Sequence, residues 1–187
     1  IDQGLDISWA VPNGIRMDSL DEELLILMKQ SGLYLVSVGI ESGSERILKL
    51  MKKNLDLNKI KEKVKLIREA GLEVAGFFIL GFPGETREDI LNTIRLSLEL
   101  DLIRANFFTY LPFPGTESYN ELLANSELNN VDWDRFYFMS AAYAPKGMRR
   151  KGLKKYQRLA FIRFYLRPKI LCKNLLGIKS LRHFKFL

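Results

Sequence analysis

Two apolar segments, each ending in a glycine-rich turn, constrain the fold of this chain more than any other feature. The first segment runs to Ile40 and the second to Leu80, and their turns read Glu41-Ser42-Gly43-Ser44 and Gly81-Phe82-Pro83-Gly84-Glu85. A helical pattern follows each turn, so both segments have the order of a βα unit. In a parallel sheet, the turns that follow the strands meet at the carboxyl edge, where ligands bind. The two turns therefore predict one ligand site shared by adjacent strands.

The chain up to residue 124 repeats this strand–helix order. Apolar or alternating patterns predict strands at 5–12, 33–40, 72–80 and 103–111. Helical patterns separate them, and Asn13-Gly14 after the first strand is a turn signal. The connections are long enough for parallel strands with right-handed crossovers. The pattern predicts an α/β fold, either half of a barrel or a small open sheet.

Capping signals mark the starts of several of these helices. Ser19 with Glu22 matches the spacing of a capping box, and Thr86 is expected to cap the helix that follows the second turn. Ser44 is expected to cap the short helix after the first turn. The helix after Ser19 should bury one apolar side, and so should the helix that begins near residue 57; these sides are Leu20, Leu24, Leu27 and Met28, and Ile60, Val64 and Ile67.

The net charge of +7 is distributed unevenly along the sequence. Residues 146–187 contain 14 of the 29 Lys and Arg and none of the 22 Asp and Glu. The pattern predicts a basic amphipathic helix at 153–166, ending before Pro168. We therefore divide the chain into two regions, 1–124 and 125–187. The second is predicted to be an aromatic and basic helical C-terminal extension that has its own binding partner. Three alternatives remain open for this region. It binds an anionic membrane surface, it binds a missing N-terminal part of the protein, or it is only a solvated basic face.

Several function classes lack their sequence signals. No apolar run reaches the roughly 18 residues of a membrane span. Cys172 is the only cysteine, so this chain alone builds no disulfide and no cysteine metal cluster, and its thiol is expected to be packed. His183 stands alone in the basic tail and gives no evidence of a metal site. The absence of a signal peptide favours the cytoplasm, and the start at Ile1 is interpreted as a cut point inside a longer protein.

Polar and glycine residues at the strand ends are candidate ligand contacts. Glu41 can accept hydrogen bonds from ribose hydroxyls or an amino group, and the backbone of residues 42–44 lets a ligand approach closely. Alternatively, Glu41 and Ser42 only cap the next helix. Residues 81–84 form an irregular loop whose backbone groups can read a purine edge, although an ordinary strand-to-helix turn has the same form. Arg16, after the first strand, is either a contact to a carboxylate or a solvated surface side chain.

These motifs, in this order and spacing, resemble the radical S-adenosylmethionine superfamily. The resemblance rests on the segments from Val38 to Ser44, from Gly76 to Thr86 and from Pro112 to Thr116. It covers roughly residues 5–124 and is nearest to the branch whose members often carry an N-terminal cobalamin-binding domain. It implies a partial (βα)6 TIM-like barrel, of which this chain would hold about four parallel strands with flanking helices.

The resemblance also implies the cofactors. In that family, three cysteines spaced Cys-x3-Cys-x2-Cys hold a 4Fe-4S cluster, and its open iron binds S-adenosylmethionine. One electron then cleaves S-adenosylmethionine to methionine and a 5′-deoxyadenosyl radical. This chain has none of those cysteines, so the cluster ligands and any cobalamin domain are expected outside it. The isolated chain is accordingly expected to be inactive, and neither a metal ligand nor a catalytic residue is assigned within it.

The site residues follow from the resemblance position by position. Glu41, Ser42 and Gly43 match the contact to the ribose or amino acid part of S-adenosylmethionine. The adenine contact is matched by the strand and loop residues Ile79, Gly81, Pro83 and Gly84. Phe77 replaces the first glycine of the family's Gly-x-Ile-x-Gly pattern, and Glu85 lies one residue later than the usual acid. The resemblance also suggests Arg16 as a cofactor contact, and it suggests Tyr110, Pro114 and Thr116 as substrate contacts.

Three functions remain open at this point. The first is a radical enzyme, cobalamin-dependent, that transfers a methyl group or rearranges a ring on a small organic or lipid-like substrate. The second is methylthiolation of RNA by a relative of the same superfamily, with bases stacked on the aromatics of the basic tail, namely Tyr156, Phe161, Phe164 and Tyr165. The third is a non-catalytic module that docks on a membrane or a partner through that tail.

Overall fold

The computed structural model describes residues 4–176, which contain a sheet of four parallel strands. The strands are β1 (Trp9–Ile15), β2 (Leu33–Glu41), β3 (Glu73–Leu80) and β4 (Arg104–Thr109). Their order in the sheet is β1-β2-β3-β4, the same as their order in the chain. Strands that follow one another around a sheet are typical of a barrel sector, because a doubly wound sheet reverses its strand order. The predicted α/β, partial-barrel fold is confirmed.

Seven α-helices occur in the described residues. They are α1 (Glu22–Gln30), α2 (Glu45–Leu50), α3 (Leu57–Glu69), α4 (Arg87–Glu99), α5 (Glu117–Ala124), α6 (Arg150–Tyr165) and α7 (Pro168–Leu176). Short 3-10 turns lie at Met17–Ser19, Glu127–Asn130 and Trp133–Arg135. The break between α6 and α7 falls just before Pro168, where the sequence predicts it.

One face of the sheet forms the core with the helices. Alternate strand residues such as Val36, Val38 and Ile40 are fully buried there, together with Ile60, Val64 and Ile67 of α3. The opposite face is only partly covered within the described residues, since Phe77, Ile79 and Phe108 are half-buried. The sheet therefore has a packed outer face and an accessible inner face, although the sequence of β3 suggests burial on both sides.

Two local predictions near the N-terminus are wrong. The first strand spans Trp9–Ile15 instead of 5–12, and Asn13-Gly14 lies inside it, where the pairing with β2 shifts register. Asn13-Gly14 therefore forms a bulge within the strand instead of a turn at its end. Asp21 rather than Ser19 caps α1, because its side chain accepts from the backbone of Leu24, whereas the Ser19 hydroxyl donates to the Arg16 carbonyl.

The apolar face of α1 also differs from the prediction. Leu20 and Leu25 are buried, whereas Leu24 and Leu27 are 37% and 47% exposed. The cap at Asp21 starts the helix later than Ser19 would, and the helix turns Leu25 toward the sheet. By contrast, the predicted cap at Thr86 of α4 is confirmed, and the structure adds the reciprocal bond from the Thr86 backbone to the Asp89 side chain.

The C-terminal helix α6 packs on the outer face of β4 and belongs to the same core as the sheet. Its buried stripe is Leu153, Gln157, Ala160 and Phe164. The Tyr165 hydroxyl exchanges hydrogen bonds with the backbone of Ala105 in β4, and the Phe161 ring lies 5.3 Å from that of Phe107. Phe164 is fully buried in this core, so the expected stacking of an RNA base on it is wrong, whereas Phe161 and Tyr165 are half-buried and stacking on them stays a prediction.

The remaining expectations for the C-terminal region have mixed outcomes. Cys172 on α7 is exposed, so the expected packed thiol is wrong. His183 is one of the last eleven residues, 177–187, which lie outside the described residues. Within residues 4–176, no helix combines the length and the apolar character of a membrane span.

Candidate functional site

A bulge at the carboxyl end of β2 turns Glu41 toward the inner face of the sheet. The pairing of β2 with β3 shifts between Gly39 and Glu41, and Glu41 has a φ of 68°. This left-handed conformation is rare for a residue with a side chain and costs on the order of 1–3 kcal/mol. Such strain persists where the surrounding structure requires it, and it often marks a functional site.

The Glu41 carboxylate folds back over Gly39 and pairs with Lys53. Lys53 Nζ donates to Glu41 Oε1 at 3.0 Å, and the two side chains are 27% and 21% exposed. A Cβ at Gly39 would lie 2.4 Å from Glu41 Oε1, so only glycine leaves room for this carboxylate. Gly39 and Lys53 together hold the Glu41 carboxylate over the end of the strand.

This carboxylate lines a groove of about 440 Å³ at the carboxyl ends of β2, β3 and β4. Ile79 and Phe82 supply apolar wall, and Tyr110 closes the β4 side with its hydroxyl donating to Ser118 Oγ at 2.7 Å. Three residues predicted from sequence, Glu41, Ile79 and Tyr110, therefore meet in one groove. A mixture of apolar wall and a few fixed polar groups is typical of small-molecule sites.

Ser42 and Gly43 lie behind this groove, against α4. The Thr93 hydroxyl accepts from the Gly43 backbone at 2.9 Å, and it lies 3.2 Å from Ser42 Oγ. Ser42 Oγ also accepts from the backbone of Ser44 at 3.1 Å. A Cβ at Gly43 would lie 2.5 Å from the carbonyl oxygen of Asn92. The glycine at this position thus serves the close approach of the turn to α4.

The loop after β3 is closed by the buried side chain of Glu85. Its Oε2 accepts from the backbone of Gly81 and, at 3.2 Å, from that of Phe82. Its Oε1 is buried with no partner in the described part of the chain. Burial raises the pKa of Glu85 to about 8, against the lowering effect of these two backbone hydrogen bonds. At neutral pH the Glu85 carboxyl is therefore largely protonated, and it holds the loop in place by accepting these two hydrogen bonds.

Asp89 joins the two glycine turns. Its carboxylate accepts from Ser44 Oγ at 2.6 Å, from Thr86 Oγ1 at 2.6 Å and from the Arg46 guanidinium. Burial alone would raise the pKa of Asp89, but the hydrogen bonds from Ser44 and Thr86 hold it at about 2. Ser44 stands at the start of α2 without capping its own helix, because its hydroxyl is directed to Asp89. The two predicted turns are thus fastened to each other.

Gly81 brings the loop after β3 into contact with the C-terminal helix. Gly81 has a φ of +83°, and a Cβ there would lie 2.5 Å from Leu153 Cδ2 of α6. Pro83 and Gly84 form the outer part of the loop, where the carbonyl of Gly84 accepts from Arg46 at 2.9 Å. The loop predicted to flank a ligand is therefore held from both sides.

Other predicted residues lie at the rim or away from the groove. Arg16 is exposed and pairs with Asp18 at 2.6 Å, so the carboxylate it reaches belongs to its own turn. Pro114 is exposed, and the Thr116 hydroxyl caps α5 by accepting from the backbone of Tyr119 at 3.3 Å. Among residues 4–176, the groove lining includes none of these three.

A row of aromatic rings extends from the inner face of the sheet to solvent. Successive ring centroids lie 5.8, 5.5, 6.2, 5.5 and 5.1 Å apart. The row, here called the aromatic row, runs through Phe77, Phe108, Phe138, Phe113, Phe136 and Trp133. Its outer members Phe113, Phe138 and Trp133 are 45–49% exposed. An exposed set of large rings of this kind marks a surface that contacts another molecule.

Sequence reasoning missed three residues that shape the site. Lys53, Phe82 and Thr93 each reach it through packing from a neighbouring turn or helix. A lysine in a lysine-rich helix end and a threonine inside an amphipathic helix carry no local signal of a site. Only Phe82 has a signal in the sequence, because it lies within residues 81–84, which are predicted to form a ligand-binding loop.

The described residues contain no group of three or more His, Cys, Asp and Glu that could hold a metal ion. Cys172, the single cysteine of the sequence, lies exposed on α7.

Comparison with known proteins relates this geometry to one family. The family model of the radical SAM superfamily matches residues 9–97. An uncharacterized methyltransferase of Pyrococcus horikoshii is 36% identical over 173 residues, which is 92% of this chain and 37% of that protein. The cytidylyl-2-hydroxyethylphosphonate methyltransferase of Streptomyces wedmorensis is 39% identical over 124 residues, covering 63% of this chain and 23% of that protein. The chain thus spans about a quarter to two fifths of the length of these curated relatives.

A solved structure shows the same fold. Coproporphyrinogen III oxidase from Escherichia coli, a radical SAM enzyme, aligns with a TM-score of 0.57 over 86% of this chain and 32% of its own. At 17% identity, this likeness concerns the fold alone. It agrees with a sector of parallel strands and flanking helices.

Proposed function

We infer that this chain, which belongs to the radical SAM superfamily, supplies one wall of an S-adenosylmethionine site in a larger enzyme. The observation that carries the proposal is the strained Glu41, whose carboxylate is held over Gly39 and opens into the groove. A residue with no structural need for a left-handed backbone would relax to an ordinary strand end. A ligand contact at this carboxylate is our proposed reason for the strained conformation.

The groove residues fit the chemistry of S-adenosylmethionine. Glu41 can accept hydrogen bonds from ribose hydroxyls or from the ammonium group, as charge-assisted bonds of the stronger kind. Ile79 and Phe82 offer apolar surface for the flat adenine ring. Lys53 fixes the position of the Glu41 carboxylate, because its ammonium donates a hydrogen bond to Oε1 at 3.0 Å.

Bound S-adenosylmethionine would supply a carbon-centred radical after one-electron reduction, with an iron–sulfur cluster whose ligands lie outside this chain. The residues of this chain bind and orient. Glu41 sets the ribose end, Glu85 holds the loop beside adenine, and the apolar wall of Ile79 and Phe82 excludes water once the ligand covers it. Ser42 and Gly43 support Glu41 from behind through Thr93.

The substrate is proposed to lie against the aromatic row. The row begins at Phe77, which neighbours Ile79 on the inner face of β3, and it ends in half-exposed rings at solvent. Large rings of this kind favour an apolar or aromatic organic substrate. Two relatives are named as methyltransferases, so methyl transfer assisted by cobalamin from a domain outside this chain is the proposed reaction. Tyr110, Pro114 and Thr116 stay predicted as neighbouring substrate contacts.

The partners of this site are proposed from the same reasoning. The cluster-bearing part of the same protein would complete the site, and the enzyme would work in the cytoplasm. RNA methylthiolation is less favoured, because Phe164 is buried in the core and the Tyr165 hydroxyl is bonded to the backbone of β4.

The proposal is tested on the full-length protein, reconstituted anaerobically with iron and sulfide. Glu41→Gln keeps the shape of the side chain but removes its charge, so S-adenosylmethionine affinity by calorimetry should fall roughly tenfold or more. Formation of 5′-deoxyadenosine under dithionite should fall with it. Gly39→Ala should weaken binding similarly, since its Cβ displaces the Glu41 carboxylate.

Glu62→Gln is the matched control, because Glu62 is an exposed carboxylate on α3. It should leave both readouts unchanged. Wild-type affinity in Glu41→Gln, with the fold intact by circular dichroism, would reject the assignment of Glu41.

A further inference from the structure

A second groove lies beside the edge strand β4, between α6 and residues 132–141. Its volume is about 650 Å³, and none of its lining residues belongs to the Glu41 groove. The segment 132–141 is fastened to β4 by the Thr109 backbone and hydroxyl, which both donate to the carbonyl of Phe138. Both walls of this groove, here called the basic groove, are therefore anchored to the sheet.

Positive charge dominates the basic groove. One carboxylate, Asp132, lines it, and Arg150 pairs with that carboxylate at 3.0 Å. Among residues 4–176, the other five cations have no carboxylate partner within ion-pair distance. The six cations are Arg135, Arg150, Lys151, Lys154, Lys155 and Arg158. Cations that face one another without a counterion create a strong positive potential, which a concave wall focuses.

Lys154 is fixed at the centre of this charge. Its ammonium donates to the carbonyl of Met139 and, at 2.6 Å, to Gln157 Oε1. Gln157 is only 1% exposed, and its amide donates at 2.7 Å to the carbonyl of Phe107 in β4. Burial lowers the pKa of Lys154, and the nearby charge of Arg158 lowers it further. The chain thus holds Lys154 in position against repulsion that a bound anion would relieve.

The basic groove also has an apolar side. Met139, Phe161 and Ile162 line it, and Ile162 is 47% exposed. A bare inorganic anion would leave this surface in water, whereas an organic phosphate would cover it. The volume lies within the usual range of small-molecule sites, roughly 300–1,000 Å³.

We propose that the basic groove binds a small phosphorylated organic molecule of about nucleotide size. The phosphate lies among Lys154, Lys155 and Arg158, and the carbon part lies against Phe161 and Ile162. An extended RNA or an anionic membrane would instead contact the whole exposed face of α6, including Arg163. Arg163 is exposed on the same helix but does not line the basic groove, so it distinguishes a small ligand from a surface interaction.

The test is calorimetric titration of the full-length protein with adenosine diphosphate, compared with adenosine and with pyrophosphate. We expect one site per chain, weaker binding of either part alone, and affinity that falls as salt is raised. Arg158→Gln combined with Lys155→Gln should weaken adenosine diphosphate binding at least about tenfold. Arg163→Gln removes a charge from the same helix and should have no effect.

Three outcomes would overturn the proposal. The first is no binding of adenosine diphosphate at millimolar concentration, and the second is equal loss in the Arg163→Gln variant. The third is binding of single-stranded RNA or of phosphatidylglycerol vesicles that adenosine diphosphate does not displace and that Arg163→Gln reduces. The Glu41→Gln variant keeps this test separate from the S-adenosylmethionine site, since it should leave adenosine diphosphate binding intact.

Discussion

At the end of β2, a strained backbone at one residue is combined with a close contact between its side chain and a neighbouring glycine. Glu41 occupies a left-handed backbone conformation, and its carboxylate fills the space that a side chain at Gly39 would need. Sequence reasoning identifies Glu41 as a candidate because it lies where an apolar strand ends and a glycine turn begins, where a carboxylate can accept hydrogen bonds from a ligand. It does not identify Lys53, because the contact depends on how the turn after α2 folds back over β2.

Glu85 should make stability depend on pH. The folded chain keeps the proton of Glu85 up to a pKa of about 8, whereas the ordinary pKa is 4.5. Between these values the folded state binds the proton and the unfolded state does not, so the free energy of unfolding falls as pH rises. The fall is on the order of 4 kcal/mol and is complete above pH 8.

Urea unfolding from pH 5 to pH 8.5 measures this dependence. Glu85→Gln retains an acceptor for the Gly81 and Phe82 backbone and should flatten the slope. Glu88→Gln, which changes an exposed carboxylate in the first turn of α4, should keep the slope of the parent. An unchanged slope in Glu85→Gln would mean that other groups cause it.

At the scale of elements, the sequence predicts helices and strands better than their junctions. The periods of α3 and β3 are clear, because Ile60, Val64 and Ile67 fill one buried stripe. Junctions depend on tertiary contacts that no local pattern contains. Ser44 precedes a helix as a cap should, yet its hydroxyl bonds to Asp89 on another helix. Dependence on tertiary contacts also explains why Asp21, and not the predicted Ser19, caps α1.

Thr93 of α4 should prove important for the attachment of this helix to the first glycine turn. Its hydroxyl is fully buried and accepts from the Gly43 backbone while donating to the carbonyl of Asp89. Thr93→Val keeps the shape but leaves the Gly43 N–H unpaired. The free energy of unfolding, measured in urea, should fall by about 1–3 kcal/mol.

Ser97→Ala provides the comparison on the same helix. Ser97 is also fully buried, but its hydroxyl donates only to the carbonyl of Ile94 within α4. Its loss should therefore cost less than about 1 kcal/mol. Equal costs for the two variants would argue against a role of Thr93 in joining the elements.

At the scale of the molecule, the basic C-terminal region is part of the core as well as a source of charge. The charge run of the sequence predicts a separate extension from residue 125. In the structure, Leu153, Ala160, Phe164 and Ile170 pack in the same core as the sheet. Charge pattern reports which faces meet solvent, but it does not report how the opposite face of the same helix is buried.

Ending the chain at Pro145 should therefore disrupt the fold. It removes α6 and α7 and uncovers the outer face of β4, where Phe107 and Phe164 now pack. We expect loss of the cooperative thermal transition and strong binding of a hydrophobic dye. Ending the chain at Leu176 keeps every core residue described above and should retain the transition. Cooperative melting of the shorter chain would show that residues 1–145 fold independently.

The contact between Gly81 and Leu153 also has an evolutionary consequence. Because a Cβ at position 81 would lie 2.5 Å from Leu153 Cδ2 and force the leucine to move, substitutions at the two positions are coupled. Lineages that acquire a side chain at position 81 should already carry alanine or glycine at position 153. The pair should therefore covary across homologues although the two positions are 72 residues apart in the sequence.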